Sequence, residues 1–418
     1  PQVYEPMGYA DGMEYGSLVR VDKLEPMPEL PKELTLFNQD FESKLNAWNF
    51  RRLLAQKYDV VVTNPPYMGS KGMCVKLSEY VQAQFPDSKN DLFAVFIERG
   101  LKLIKPIGYN CMVTMQSWMF LSSFETMRKK MLSTRTISTL MHMENMVMGI
   151  AFGTAVSNLY GKHIDGYKGL YNHITMSDIE DDKPVTFPPA SKRNTTATAY
   201  NFSKIPGSPV AYWISEAMLR TFEVGTLLGN IAFPKTGMTT GDNDRFLRIW
   251  HEVNIEKFNL KWFPYCKGGG YRRWYGYNEY LVNWENDGFE IKHNVKDNGL
   301  KAASVRSENL YFKPLITWSA VTSGTFSCRN VDGGALFDSG GSSISVQKNR
   351  MYLLALLNCK LSQEYLNISN ATLNYQPGDI AAVPVITFNV EHVERIAREN
   401  ISLSRADWDA FETSWDFA

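Results

Sequence analysis

Cysteine is scarce in this chain and never clustered. The five cysteines, at positions 74, 111, 266, 328 and 359, form no Cys-x-x-Cys pair. This argues against a disulfide framework and a cysteine zinc site, and it suits free thiols in a reducing cytoplasm. Long apolar runs are lacking too: none reaches the ~18 residues of a membrane span, so no membrane partner is expected. The opening Pro1-Gln2-Val3-Tyr4-Glu5 has neither the basic nor the hydrophobic region of a signal peptide. Charge of one sign is also missing, since 44 Lys and Arg residues face 44 Asp and Glu. A non-specific nucleic-acid coat is therefore not expected, and any nucleic-acid surface must be a local patch. His142 and His163 have no spaced carboxylate or cysteine partners. They read as solvated or packed residues, and no metal site is expected.

What is present is an ordinary globular composition, 44% hydrophobic and 21% charged, in 418 residues. That length gives room for two or three domains and ample core. One stretch organises the rest: Tyr58-Asp59-Val60-Val61-Val62-Thr63-Asn64-Pro65-Pro66-Tyr67. Its β-branched run predicts a parallel strand buried on both faces. Two consecutive prolines then force the chain out of the sheet at the strand's carboxyl end, where open α/β sheets bind ligands.

A polar amide, two rigid carbonyl-bearing residues and an aromatic ring are thus presented together. Methylation of an exocyclic amine wants such a set. The adenine N6 lone pair is delocalised into the ring, so the amine is a poor nucleophile. Acceptors aimed at its two N–H groups draw the nitrogen toward a tetrahedral geometry as positive charge develops. The Asn64 side-chain oxygen and the Pro65 carbonyl can serve, Pro66 stiffens the turn, and Tyr67 would stack on a base flipped from the duplex. A plain strand ending in a Pro-Pro turn is the simpler alternative.

Asn64-Pro65-Pro66-Tyr67 resembles the signature of amino-group methyltransferases dependent on S-adenosylmethionine. The following Met68-Gly69-Ser70-Lys71-Gly72-Met73 and later segments resemble one branch, the PglX family of adenine-specific DNA methyltransferases in BREX phage-exclusion systems, from about residue 10 to the end. The four-residue signature alone is shared with enzymes that methylate a glutamine side chain in release factors. The resemblance implies a Rossmann-like, doubly wound α/β methyltransferase core followed by a mixed α/β target-recognition domain. It also implies S-adenosylmethionine as cofactor, double-stranded DNA as partner, and contacts with other phage-defence proteins. Asp91 and Phe93 would lie near the cofactor's adenine, although core packing is the favoured reading of Phe93. Phe152, between two strand-like runs, would sandwich the extruded adenine opposite Tyr67, unless it is a plain core residue. Such enzymes carry a glycine-rich FxGxG-like cofactor loop on an earlier strand, and none is clear upstream of Asn64. That strand is expected to precede residue 1.

Along the first domain, residues 41–56 predict an amphipathic helix and residues 71–85 a helix over the site. A helix capped by Asp91 follows, with Phe93, Ile97, Leu101 and Ile104 on its core face. Residues 109–115 predict the next strand, with Gln116-Ser117-Trp118 at the same carboxyl edge. Residues 137–143 and 154–160 predict two more strands, and residues 164–200 read as a polar surface excursion closing the domain.

Texture changes near residue 202. The segment 261–284 is crowded with aromatics, among them Trp262, Tyr271, Trp274, Tyr275 and Trp284, interleaved with Lys261, Lys267, Arg272 and Arg273. Gly268-Gly269-Gly270 reads as a hinge. Basic and aromatic groups on a flexible turn suit phosphate contact and base stacking, although an aromatic mini-core is the rival reading. A polar loop at 236–243 precedes Arg245 and Arg248, two more candidate DNA contacts. Residues 374–384 read as a closing strand, and Trp408, Phe411 and Trp415 as aromatics with little left to pack them.

The expected layout is a catalytic domain at 1–200 lacking its cofactor-loop part, a target-recognition domain at 201–388, and the start of a helical region at 389–418. The expected activity is site-specific DNA adenine-N6 methylation. The alternatives are a catalytically incompetent DNA- or partner-binding fragment and a protein-glutamine N5 methyltransferase, which would have no use for a long second domain.

Overall fold

Val60, Val61 and Val62 do form a strand, β1 (Tyr58–Thr63), but it lies at the edge of its sheet. The computed structural model describes residues 12, 14–29, 41–181, 183–186, 188, 193–322, 324–369 and 374–417. Within it the chain divides into two units, residues 1–214 and 215–418.

The first unit is built on a six-stranded sheet. Its strands are β1, β2 (Ile104–Met115), β3 (Thr136–Met143), β4 (Thr154–Tyr160), β5 (Gly169–Ile174) and β6 (Asn194–Ala197), in the order β1-β2-β4-β3-β5-β6. The β1/β2 and β3/β5 pairs are parallel and the others antiparallel. Helices α1 (Phe41–Ala55), α2 (Val75–Gln84), α3 (Leu92–Leu103) and α4 (Glu125–Thr134) complete a mixed α/β layer. Phe93 and Ile97 of α3 and Met127 and Met131 of α4 form one core with Met112, Leu140, Leu159 and Tyr171 of the sheet.

Two expectations change here. Only Val61 of the valine run packs against the core, while Val60 and Val62 are 53% and 73% exposed. A β-branched run reads alike whether one face or both are covered, and β1 is covered on one. Residues 164–200, expected as a surface excursion, supply β5 and β6. Asn172, fully buried, and His173 interrupt the apolar pattern of β5 and hide it from hydropathy.

Buried Arg128 spends its guanidinium on the carbonyls of Trp118, Leu121, Gly207 and Ser208. That ties the exit of β2 to the end of the unit.

The second unit holds two four-stranded sheets. One orders Phe233–Lys235, Ser343–Ser345, Leu315–Trp318 and Cys328–Val331; the other orders Leu247–Ile249, Tyr280–Asn283, Trp262–Cys266 and Leu336–Phe337. Helices α5 (Glu216–Val224), α6 (Arg350–Asn358), α7 (Lys360–Ser369) and α8 (Val390–Asp409) accompany them, with α8 packed on α6. Residues 374–384 are not a single strand. Asn374 makes one bridge to Val321, Pro377–Ala381 is a short helix with proline in its first turn, and Pro384–Val385 pairs with Thr226–Leu227. The terminal aromatics also differ from expectation: Trp408 packs on Tyr277 and Trp415 on Phe258, each at 5.5 Å, and only Phe411 is largely exposed. No helix among the described residues is long and apolar enough to cross a membrane.

Candidate active site

Asn64 emerges exposed where β1 ends, followed by buried Pro65 and exposed Pro66. The single proton of the Tyr67 hydroxyl is shared between Asn64 Oδ1 and the Val113 carbonyl on β2, each 3.2 Å away. An amide oxygen has two lone pairs, so this bond orients Asn64 and leaves one acceptor position open. Burial raises the Tyr67 pKa above its usual value, which keeps the hydroxyl protonated and able to donate.

The loop after Tyr67 is stitched to the start of α3. Asp91 accepts the Met68 N–H at 3.0 Å and caps the helix through the Phe93 N–H at 3.3 Å. Leu92 N–H donates to the Met68 carbonyl and Ser70 N–H to the Asn90 carbonyl. Burial pushes the Asp91 pKa up, and the backbone N–H groups of Phe93, Met68 and Leu92 pull it back. Phe93 is 1% exposed and meets the Tyr67 ring edge-on at 6.2 Å. Asp91 and Phe93, expected beside a cofactor, hold the Tyr67 loop, Asp91 through one of its two carboxylate oxygens and Phe93 as a buried core ring.

Phe152 does stand beside Tyr67, with ring centroids 5.7 Å apart and planes at 66°. Next to it is a group that the sequence reading placed at the right edge without a role. Gln116 hydrogen-bonds to Gly153 through its backbone and to His142 through its side chain. The signal in the sequence was position alone, directly after β2.

In the second unit, the basic residues of the aromatic segment separate into tied and open ones. Arg272 donates to the Tyr275 and Ser404 carbonyls, pairs with Asp407 at 2.8 Å and covers the Trp408 ring at 4.8 Å. It staples α8 to the unit. Lys267 pairs with buried Asp338 at 2.7 Å. Gly268-Gly269-Gly270 has a packing reason for glycine: Gly269 lies on the Tyr277 ring, and a side chain there would collide with it. Tyr265, Tyr275 and Trp284 are buried, so much of the segment is core. Arg273 lies over exposed Tyr271 at 5.5 Å and makes no ion pair among the described residues. Exposed Arg245 pairs with Glu290 at 3.1 Å, and Arg248 donates to the Asp244 and Leu247 carbonyls while lying over Trp262.

Residues 18–147, which contain this edge, match the family described as Eco57I restriction-modification methylase. The chain is 39% identical to the adenine-specific methyltransferase BrxX of Escherichia coli O9:H4 (strain HS), over 89% of its length and 31% of that protein. It is 34% identical to the adenine-specific methyltransferase PglX of Lacticaseibacillus casei (strain Zhang), over 98% of its length and 37% of that protein. Over most of its own length, therefore, the chain is similar in sequence to these methyltransferases. It spans about a third of the length of those curated relatives. Among solved structures, the Type IIL restriction-modification enzyme MmeI in complex with DNA shares the fold, with a TM-score of 0.54 at 10% identity over 86% of this chain and 50% of that one.

Proposed function

We propose that this chain forms the base-binding and target-reading part of a site-specific DNA adenine-N6 methyltransferase that uses S-adenosylmethionine and serves phage defence in the cytoplasm. The observation that carries the reading is Asn64, exposed at the carboxyl end of β1 with its amide oxygen oriented by Tyr67. The free lone pair of Asn64 Oδ1 and the Pro65 carbonyl accept the two N–H groups of the adenine amine. They gain strength as the nitrogen turns tetrahedral and positive. Tyr67 and Phe152 offer the faces between which an extruded base stacks.

Asp91 caps α3 and holds the Met68 N–H through one carboxylate oxygen, and its other oxygen remains a candidate contact for the methyl donor. The second unit suits DNA reading. Exposed Arg245, and Arg273, which makes no ion pair among the described residues, are the first candidate contacts there, with Arg248 beside them; Arg272 and Lys267 are held by Asp407 and by buried Asp338. A protein-glutamine substrate leaves this large second unit without a task.

The test is methyl transfer by the full-length protein from labelled S-adenosylmethionine to DNA, followed by nucleoside analysis. Label in N6-methyladenine is expected. Label in protein glutamine, or in cytosine, would overturn the reading.

A further inference from the structure

Phe152 is seated by a chain of contacts that begins deep in the first unit. Gln116 donates its backbone N–H to the Gly153 carbonyl at 3.0 Å. Its side-chain amide lies so close to Gly153 that a Cβ built there would fall on it. Gly153 is not among the glycines with positive φ, so the backbone alone does not demand a glycine. The amide of Gln116 does.

Gln116 Oε1 in turn meets His142 Nε2, and His142 Nδ1 meets the Tyr212 hydroxyl at 3.0 Å. With an amide oxygen on one side, one tautomer satisfies both bonds: Nε2–H donates to Gln116, and Nδ1 accepts from Tyr212. Tyr212 is itself stacked on buried Tyr171 at 4.9 Å. His142 is buried beside the His173 ring, and burial pushes its pKa down to about 3, so it stays neutral in this role. A polar ring in an apolar core is costly unless its hydrogen bonds are made. An aliphatic residue would fill the same space. What His142 adds is a fixed direction for the Gln116 amide.

We propose that Gln116, locked by His142, is the positioning residue that seats the Phe152–Gly153 turn against Tyr67 and so builds the stacking wall of the base pocket. This rests on reading Tyr67 and Phe152 as the pair that holds an extruded base.

The experiment uses the full-length protein and a duplex with 2-aminopurine at the target adenine, alongside kcat/KM for methylation of the natural duplex. The variants are Gln116→Ala, Gly153→Ala and Gln116→Glu, compared below their thermal transitions. Gln116→Glu keeps the planar shape and an oxygen for His142. Gln116→Ala and Gly153→Ala are expected to lose the fluorescence rise of extrusion and about 10²-fold in kcat/KM, while Gln116→Glu recovers most of both. Overall DNA affinity should change little. Gln116→Ala and Gly153→Ala behaving as wild type would overturn the proposal, and so would Gln116→Glu failing as badly as Gln116→Ala. A wild-type protein with no methyl transfer to DNA would instead overturn the functional reading beneath it.

Discussion

The Phe152 ring meets the Tyr67 ring at 66° rather than lying parallel to it. For a base to stack between them both faces must be free, so Phe152 would have to turn and draw away from Tyr67 as the base enters. Stacking on an aromatic contributes about 1–3 kcal/mol per base, so Phe152→Ala should lower kcat/KM roughly 10- to 100-fold. Phe152→Tyr should retain most activity. Equal activity of Phe152→Ala and wild type would return Phe152 to plain packing.

Arg272 and the pair Arg245 and Arg248 should separate stability from recognition. Arg272→Ala breaks the ion pair to Asp407 and the cover over Trp408, and should cost about 1–3 kcal/mol of stability in urea titration. Exposed Arg245→Ala should leave stability within about 0.5 kcal/mol, whereas Arg248→Ala gives up the Asp244 and Leu247 carbonyls and the Trp262 ring and should cost about 1 kcal/mol. The double variant should weaken DNA binding and reduce the salt slope by about 2 if both contact phosphates. A DNA defect confined to Arg272→Ala would reverse these assignments.

Acid should destabilise the first unit through His142. Its folded pKa, about 3, lies below the ordinary 6.5, chiefly because of burial and secondarily because of nearby His173. Between those values the unfolded chain binds the proton and the folded chain does not. Stability is therefore fully present above about pH 6.5 and falls as pH drops, by up to about 1.4 kcal/mol per unit. His142→Gln should show a shallower decline between pH 6.5 and 4.5 in parallel urea titrations. Identical slopes would mean that His142 does not carry the effect.

The sequence was most readable where local chemistry sets geometry. Val60 to Tyr67 announces a strand, its stop and its exposed amide through β-branching and two prolines, and Asp91 announces a helix cap. What stayed hidden depends on partners far along the chain. Gln116 meets His142 only because β2 and β3 both flank β4, and Arg272 is explained by Ser404 and Asp407 on α8. Strand β5 was masked by its own buried Asn172. The aromatic segment could not be divided into core and surface until its sheet was seen to bury Tyr265, Tyr275 and Trp284.

The central claim is that Asn64 accepts the adenine amine, and one substitution tests it most directly. In the full-length protein, Asn64→Ala removes one of the two acceptors while leaving Pro65, Tyr67 and the second unit in place. Loss of one such preorganised group typically costs about 3–4 kcal/mol, or 10²- to 10³-fold in rate. N6-methyladenine formed per unit time, quantified by mass spectrometry of digested DNA, should fall by that factor while the DNA dissociation constant stays within a few-fold of wild type. Methylation by Asn64→Ala at a rate close to wild type would contradict the account.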